Sequence, residues 1–210
     1  EIYTLSLHDA LPISWMLDLE RRAIAAFEAL GVLMTDTCIN YQTVYQPKFG
    51  EHVAWGDTGT VIYANSVLGA RTNYEGGKAS FAAALTGRTP AYGFHLDECR
   101  KGTFLVNVDA SLDDVADWGA LGKIIGHPHQ DYFSVPVFDG IKSAPLSDDL
   151  KHLGASLASY GSLAMFHMIG INRVVFIWQG LAKKLRFFVK TVHQSRYAER
   201  IRRMDLSMGY

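Results

Sequence analysis

Two acid–base side chains stand next to each other at Glu51 and His52, inside the sequence GEHVAWGDTGTVIYANSVLGARTN (residues 50–73). A carboxylate or an imidazole can accept or donate a proton when it lies within hydrogen-bond reach of the reacting group. Adjacent residues face opposite ways on a strand, whereas on a helix or turn both can reach one cavity. The pair predicts a proton-transfer role for at least one side chain; the alternative is that both only cap or bridge neighbouring elements.

A second polar cluster follows in the same stretch and combines amide, hydroxyl and guanidinium groups. A guanidinium fork matches two oxygens of a carboxylate or phosphate at once, so Arg71 is the expected anion anchor. Its alternative role is an exposed ion pair with Glu75, which would contribute under about 1 kcal/mol. We expect the substrate to be bound by Asn65, Ser66, Arg71, Thr72 and Asn73.

Candidate metal ligands are fewer, because the chain has 2 cysteines, Cys38 and Cys99. A lone cysteine is most often an inert thiol, although a thiolate is a soft donor that suits iron–sulfur iron. His95, Asp97 and Glu98 form a second set, which a divalent metal could use. A metal-dependent site without iron–sulfur chemistry is therefore one alternative.

Strand and helix signals alternate along the chain and predict an α/β layered domain. A helix over Asp18–Leu30 is indicated by apolar residues at three- and four-residue spacings and by Gly31 after it, and Thr35–Gly50 reads as an irregular loop. Three β runs are expected at Thr60–Ala64, Thr103–Val108 and Tyr132–Phe138. The remaining helices are expected from Gly76-Gly77 to Thr86-Gly87, from a capping box at Ser111–Asp114 to Ile125 with Gly126 closing it, and from Ser147 to Ala164.

The composition is that of a globular chain, with 49% hydrophobic and 20% charged residues and a net charge of -1. Such a chain can bury one sizeable core, and its charge indicates neither nucleic acid nor a membrane surface as a partner. No apolar run reaches the roughly 20 residues that a membrane span needs. The small number of cysteines fits a reducing cytoplasm. The common dinucleotide, P-loop, α/β-hydrolase and zincin motifs are absent.

The two ends of the chain differ from the middle. Residues 1–14, EIYTLSLHDALPIS, resemble a translated sequencing adapter and are expected to be an artefact. Acidic residues predominate up to residue 172 and basic residues afterwards. This break predicts a frameshift or chimeric join near Ile171. The alternative is that residues 171–210 are a genuine basic segment that binds a partner or an anionic surface.

Several blocks between residues 15 and 170 resemble the catalytic large subunit of the aconitase X family. They are TDTCINYQ (35–42), the GEHVAWGDTG and NSVLGARTN sequences of residues 50–73, EGGKASFAAALTGRTPAYGFHLDE (75–98) and SLAMFHMIG (162–170). Members are hydro-lyases that dehydrate cis-3-hydroxy-L-proline or mevalonate 5-phosphate. The resemblance implies an aconitase-like α/β fold and the same reaction on a small hydroxy acid, with cis-3-hydroxy-L-proline expected because TDTCINYQ is closer to the bacterial members.

The resemblance also implies a cofactor and a partner. Cys38 corresponds to the first ligand of an iron–sulfur cluster, whose other cysteines are expected beyond residue 170, where this chain has none. A small swivelling subunit or domain is expected to complete the site and to bring a serine base. The chain by itself is therefore expected to be inactive, and the alternative function is a substrate-binding or assembly module of the same fold.

Overall fold

A computed structural model describes residues 13–35, 37–171 and 186–189 of the chain. The chain consists of two compact units, and the boundary between them lies between Thr37 and Cys38. The described part of the first unit consists of helix α1 (Ile13–Ala29) and the residues after it. The predicted helix over Asp18–Leu30 is thereby confirmed, although it begins earlier. Most of the suspected adapter and most of the basic tail lie outside the described residues, so both boundaries stay predictions.

A parallel sheet forms the centre of the second unit. Its strands are β1 (Phe104–Val108), β2 (Pro136–Asp139), β3 (His167–Met168) and β4 (Arg186–Val189), in the order β3-β2-β1-β4. The register pairs Phe104 with Pro136, Leu105 with Arg186, and Val137 with His167. Parallel sheets need cover on both faces, and Val106 and Phe138 are accordingly fully buried. The α/β layered fold is confirmed.

Five helices accompany this sheet in the described part of the second unit: α2 (Asn40–Thr43), α3 (Thr58–Tyr63), α4 (Gly77–Thr86), α5 (Val115–His129) and α6 (Ser147–Gly161). Helices α5 and α6 are the crossovers from β1 to β2 and from β2 to β3. Helix α4 ends at the expected place, with Gly87 in the left-handed conformation at φ 65°. No helix in the described ranges is long and apolar enough to cross a lipid bilayer.

The contact between α5 and α6 is made by glycines. A side-chain carbon at Gly122 would lie 2.6 Å from Ser156 Cβ and 2.7 Å from the Leu153 carbonyl oxygen. One at Gly126 would lie 3.1 Å from the Leu157 carbonyl oxygen. The glycines of α5 therefore let its backbone approach α6 closely at Leu153, Ser156 and Leu157.

The limits predicted for α5 are wrong at both ends. Asp114 caps the helix, because its carboxylate accepts from Ala116 N while the Asp117 carboxylate accepts from Asp114 N at 3.3 Å. The capping box thus starts at Asp114 rather than at Ser111. Gly126 does not end the helix, which continues to His129, because this glycine serves the close approach to α6.

The predicted strand at Thr60–Ala64 is also wrong. Asp57 caps α3 by accepting from Gly59 N and Thr60 N at 3.1 and 3.3 Å, and the helix then continues as a π-helical segment, Ala64–Leu68. The β-branched residues Val61 and Ile62 suggested a strand, but both are completely buried. A short apolar run that is buried on all sides carries no helical or strand periodicity, so tertiary packing decides its conformation.

We expect Gly122→Ala to destabilise the fold by about 1–3 kcal/mol, because the added methyl group meets the α6 backbone, which cannot yield as a side-chain tip can. The midpoint of urea denaturation, followed by circular dichroism, measures the effect. Gly77→Ala is the matched control, since Gly77 lies in a helix with open space around it. Equal midpoints for the two variants would contradict the assigned packing.

Candidate functional site

Two extended segments, residues 51–55 and 71–75, lie side by side and form the base of the candidate site. Arg71 N donates to the Glu51 carbonyl at 2.8 Å, Val53 N to the Arg71 carbonyl at 3.0 Å, and Glu75 N to the Trp55 carbonyl at 3.0 Å. A parallel bridge pairs His52 with Arg71. The two residues singled out for proton transfer and anion binding are therefore neighbours through backbone pairing.

A third segment, the 3₁₀ turn Gly93–His95, is attached to this base by Asn73. The Asn73 amide donates to the Tyr92 carbonyl at 3.2 Å, and its Oδ1 accepts from Phe94 N at 2.8 Å and from the Tyr132 hydroxyl at 2.7 Å. Gly93 adopts φ 57° directly against the Asn73 amide, where a side chain would collide. Asn73 thus fixes the position of the residue that follows Phe94, which is His95.

These segments bring His52 and His95 together. The Nδ1 atoms of the two rings are 2.8 Å apart, and the ring planes are within 15° of parallel, with centroids 5.0 Å apart. His95 is buried and His52 is exposed. His95 Nε2 lies 3.6 Å from Glu75 Oε1. We call His52, Arg71, Glu75, His95 and Asp97 the two-histidine site.

Burial is the main influence on the charge of His95. It lowers the pKa of His95 from the ordinary value, and the positive charge that His52 can carry lowers that pKa further. Glu75 acts in the opposite direction, while Arg100 adds to the lowering. His95 is therefore held neutral under conditions in which an exposed histidine begins to take up a proton.

Arg71 lies at the edge of the two-histidine site, and its guanidinium is only partly buried. Its Nη1 donates to the His95 carbonyl at 2.8 Å, and its Nη2 forms an ion pair with Asp97. This guanidinium lowers the pKa of the Asp97 carboxyl. The partner of Arg71 is thus Asp97 rather than the Glu75 considered from the sequence. An incoming anion would exchange with a carboxylate that is more than half exposed.

Glu51 is engaged away from His52. The Tyr45 hydroxyl donates to its Oε1 at 2.5 Å, and Lys48 N donates to its Oε2 at 2.7 Å. These bonds favour the charged form and lower the pKa of Glu51, with Tyr45 as the larger cause. A carboxylate that is already ionised and paired is a weak base. Glu51 thus bridges Tyr45 and Lys48, and its role in proton transfer stays a prediction.

Asn65 lies in the π-helical segment and is completely buried. Its amide nitrogen donates to the Thr72 carbonyl at 2.8 Å and to the Ala164 carbonyl at 2.9 Å. Its Oδ1 accepts from Thr72 N at 3.0 Å and from Arg100 Nη1 at 3.2 Å. All the donors and acceptors of this amide are used inside the protein.

Ser66 and Thr72 are also interior residues. Ser66 Oγ accepts from Phe166 N at 2.9 Å, and Thr72 Oγ1 accepts from Trp55 N at 3.1 Å. With Asn65 and Asn73, they hold the segments on which Arg71 and His52 lie. The substrate contact expected for these four residues stays a prediction, and direct contact would require these bonds to break.

One residue of the two-histidine site, Glu75, and one buried residue beside it, Arg100, were not identified as functional from the sequence. Arg100 is 1% exposed and also donates from Nη2 to the Asn65 carbonyl at 3.0 Å; burial is the main cause that lowers its pKa to about 10. Glu75 was considered only as an ion-pair partner of Arg71. The position of Arg100 directly after the predicted set of His95, Asp97 and Glu98 could have marked it as a candidate. The burial of its side chain is evident only from the tertiary structure.

The candidate metal ligands are not brought together. Cys38 is exposed, and its carbonyl oxygen, rather than its thiol, is bonded by Thr60 Oγ1. Within residues 13–35, 37–171 and 186–189, no three His, Cys, Asp or Glu side chains are grouped as a metal site needs. His95 and Asp97 instead contact His52 and Arg71. The described residues therefore do not fit a cluster or a divalent metal by themselves.

Asn65→Ala is expected to destabilise the protein by about 3 kcal/mol or more, because it leaves two carbonyl oxygens and an amide without their partner and removes one of the hydrogen bonds of the buried Arg100. Urea denaturation measures the loss. Gln42→Ala, which removes an exposed amide, is the control and should change stability little. A loss of similar size in both variants would contradict the role given to Asn65.

Stability is expected to fall as the pH is lowered from about 7.5 to about 5.5, across the ordinary histidine pKa. Burial lowers the pKa of both His95 and His129, so the unfolded chain binds protons first and acidification favours unfolding. The urea midpoint measured against pH tests this, and His95→Asn should reduce the slope. A midpoint independent of pH in this window would refute the effect.

Comparison with known proteins gives the chain's relationships. Residues 13–98 match the family model of the aconitase X first domain, and residues 102–197 match that of the second domain. The second match extends past Ile171, while the origin of the join expected there stays a prediction. The two-histidine site lies entirely within the first-domain match.

Curated relatives include the phosphomevalonate dehydratase large subunit of Methanothermobacter thermautotrophicus, 46% identical over 151 residues, which are 72% of this chain and 37% of the relative. The cis-3-hydroxy-L-proline dehydratase of Pseudomonas aeruginosa is 38% identical over 150 residues, 70% of this chain and 25% of that protein. The chain thus spans well under half of the length of these relatives.

The crystal structure of Thermococcus kodakaraensis aconitase X, in its holo form, superimposes with a TM-score of 0.75 and 35% identity. The superposition covers 91% of this chain and 47% of that one. Sequence, domain order and fold agree, and the chain belongs to the aconitase X family.

Proposed function

We propose that the protein carrying this chain is a hydro-lyase that eliminates water from a small hydroxy acid. The observation that supports this most directly is the position of the two-histidine site inside the first aconitase X domain. Relatives that share both domains are named dehydratases. The site combines a proton-transfer group with a cation, and elimination from a hydroxy acid requires both.

Arg71 is proposed to bind the substrate anion. Its side chain is 17% exposed, and its present partner is an exposed aspartate that a carboxylate or phosphate can replace. The fork retains its bond to the His95 carbonyl during such an exchange, so one nitrogen stays fixed while the other binds the ligand. The bound anion would then lie next to His52, the bridge partner of Arg71.

His52 is proposed to transfer one of the two protons that dehydration moves. One proton leaves carbon and one joins the departing hydroxyl. The His52 ring is exposed and is held on one side by His95, whereas Glu51 is occupied by Tyr45 and Lys48. The second proton needs another group, for which the serine expected from the small subunit stays a prediction.

The identity of the hydroxy acid is a finer proposal. The phosphomevalonate dehydratase relatives are 38–46% identical to this chain, and the hydroxyproline dehydratases are 37–38% identical. The two ranges meet at 38%, so cis-3-hydroxy-L-proline stays the first proposal from the sequence and mevalonate 5-phosphate the second. Arg71 suits either compound, because each carries an oxyanion.

An iron–sulfur cluster and a small subunit belong to the same proposal. The described residues do not fit a cluster, so we assign it no step, and Cys38 as one of its ligands stays a prediction. Several relatives are named large subunits, which supports a small subunit as partner. A cytoplasmic location likewise stays a prediction.

A binding or assembly module without turnover is the second candidate function for the 210-residue chain by itself. It is favoured by the lack of a grouped metal-ligand set in the described residues. The test is anaerobic assay with mevalonate 5-phosphate and with cis-3-hydroxy-L-proline, using the chain alone, the protein that carries it, and that protein with a small subunit. Turnover only in the complete assembly would support both proposals, and absence of turnover there would refute the hydro-lyase.

His52→Asn and Arg71→Gln are expected to separate proton transfer from binding in that assembly. His52→Asn should lower kcat by about a hundredfold with KM nearly unchanged, because it removes a proton-transfer group. Arg71→Gln should raise KM by about tenfold or more, because the charged fork is lost. Steady-state kinetics on the preferred substrate measures both effects.

His127→Asn is the matched control, since His127 is exposed and lies on α5 rather than in the two-histidine site. Its kinetics should equal those of the unmodified protein. A His52→Asn variant with unchanged kcat would remove His52 from the mechanism. An unchanged KM in Arg71→Gln would remove Arg71 as the anion anchor.

A further inference from the structure

We propose that Glu75 and His95 are positioning residues that fix the tautomer of His52, so that its exposed Nε2 carries the lone pair and accepts the proton. The inference rests on the proposed hydro-lyase function for its meaning in catalysis. Its structural content, the direction of the hydrogen bond between the two rings, can be measured without any reaction. The inference rests on the side chains of Glu75, His95 and His52, which contact one another in this order.

The first link is the contact between the rings. The two Nδ1 atoms are 2.8 Å apart, which is the length of a hydrogen bond. A neutral imidazole carries hydrogen on one nitrogen and a lone pair on the other. One Nδ1 must therefore donate and the other accept, and the choice determines what each ring presents at its Nε2.

The second link is the buried end of His95. Its Nε2 is inaccessible and has no hydrogen-bond partner among the described residues, and the Glu75 carboxylate lies 3.6 Å away with a side chain that is 11% exposed. A carboxylate attracts an N–H and repels a lone pair, and the interaction is strong where water is excluded. A closer approach of about half an ångström would complete a hydrogen bond. His95 Nε2 is therefore the protonated nitrogen.

The opposite direction is unfavourable. If His95 Nδ1 donated to His52, the buried Nε2 of His95 would present a lone pair to the carboxylate and would satisfy neither group. Protonation of both His95 nitrogens is opposed by burial, by His52 and by Arg100, although Glu75 favours it. A neutral His95 with hydrogen on Nε2 remains.

The third link follows from the first two. His95 Nδ1 accepts, so His52 Nδ1 donates, and the lone pair of His52 is on Nε2. When this nitrogen takes a proton, the positive charge on the ring is stabilised through its Nδ1–H bond to His95 and, beyond it, by the negative charge of Glu75. The arrangement resembles the way in which an acidic residue orients a catalytic imidazole in serine hydrolases, with a second imidazole inserted between them.

The test is nuclear magnetic resonance of the ¹⁵N-labelled 210-residue chain, with long-range correlations between ring protons and ring nitrogens. These correlations distinguish the two tautomers of a neutral histidine. At a pH above the ordinary histidine range, we expect His52 with hydrogen on Nδ1 and His95 with hydrogen on Nε2. A His52 ring with hydrogen on Nε2, or an equal mixture of tautomers, would overturn the proposal. No variant and no substrate are needed for this result.

Glu75→Met gives the second measurement, because it keeps the side-chain length and removes the charge and the acceptor. His52 should then shift towards the tautomer with hydrogen on Nε2, while Glu98→Met, which removes an exposed carboxylate of the same region, should leave the spectrum of His52 unchanged. Unchanged tautomers in Glu75→Met would exclude Glu75 as the determinant.

In the active assembly, Glu75→Met is expected to lower kcat by about tenfold and to leave KM within about twofold, because proton acceptance and not binding is affected. A change in KM alone would indicate a merely structural role and would overturn the positioning role. Failure of the hydro-lyase proposal is distinguishable: the unmodified assembly would show no turnover, while the tautomers of the isolated chain would still be those expected.

Discussion

The buried amide of Asn65 is the interaction on which the rest of the site depends. It bonds to both backbone groups of Thr72, to the Ala164 carbonyl near β3, and to Arg100, the last residue of the 3₁₀ turn Asp97–Arg100. Three separate stretches of chain are thereby held to the π-helical segment. Each bond is worth about 1 kcal/mol net, but an unsatisfied buried partner costs more. The positions of Arg71 and His95 on either side are consequences of this arrangement.

The π-helical segment explains why such an amide is available. The π-helical segment after α3 places Asn65 and Ser66 in the interior. There the Ser66 hydroxyl oxygen accepts a hydrogen bond from Phe166 N, and Arg100 donates one to the Asn65 carbonyl. Local π-helical geometry is often found at functional sites. Here its effect is mechanical, because the side chains of Asn65 and Ser66 hold the backbone of neighbouring segments in place.

Sequence patterns predicted the layered α/β class, β1, the later part of β2 and most of the long helices, because these depend on periodicity and on helix ends, whereas the β run expected at Tyr132–Phe138 becomes a strand only from Pro136. The same patterns failed to predict the conformation of segments whose side chains are completely buried. The run Thr60–Ala64 carries strand-forming residues but is surrounded by protein, and Gly126 looks like a helix end although it is a packing position. The pairing of His52 with His95 spans 43 residues and has no local signal. The same holds for the ion pair between Arg71 and Asp97.

The glycine contacts between α5 and α6 have a consequence for how descendants of this domain could be recognised. The helices join β1 to β2 and β2 to β3, and a larger residue at Gly122 or Gly126 would press against the backbone of α6. These positions report on the architecture and are independent of proton transfer. A homologue that had lost its histidines and taken on a non-enzymatic role would still be expected to keep these glycines, and they would serve as a marker of ancestry when the chemistry has disappeared.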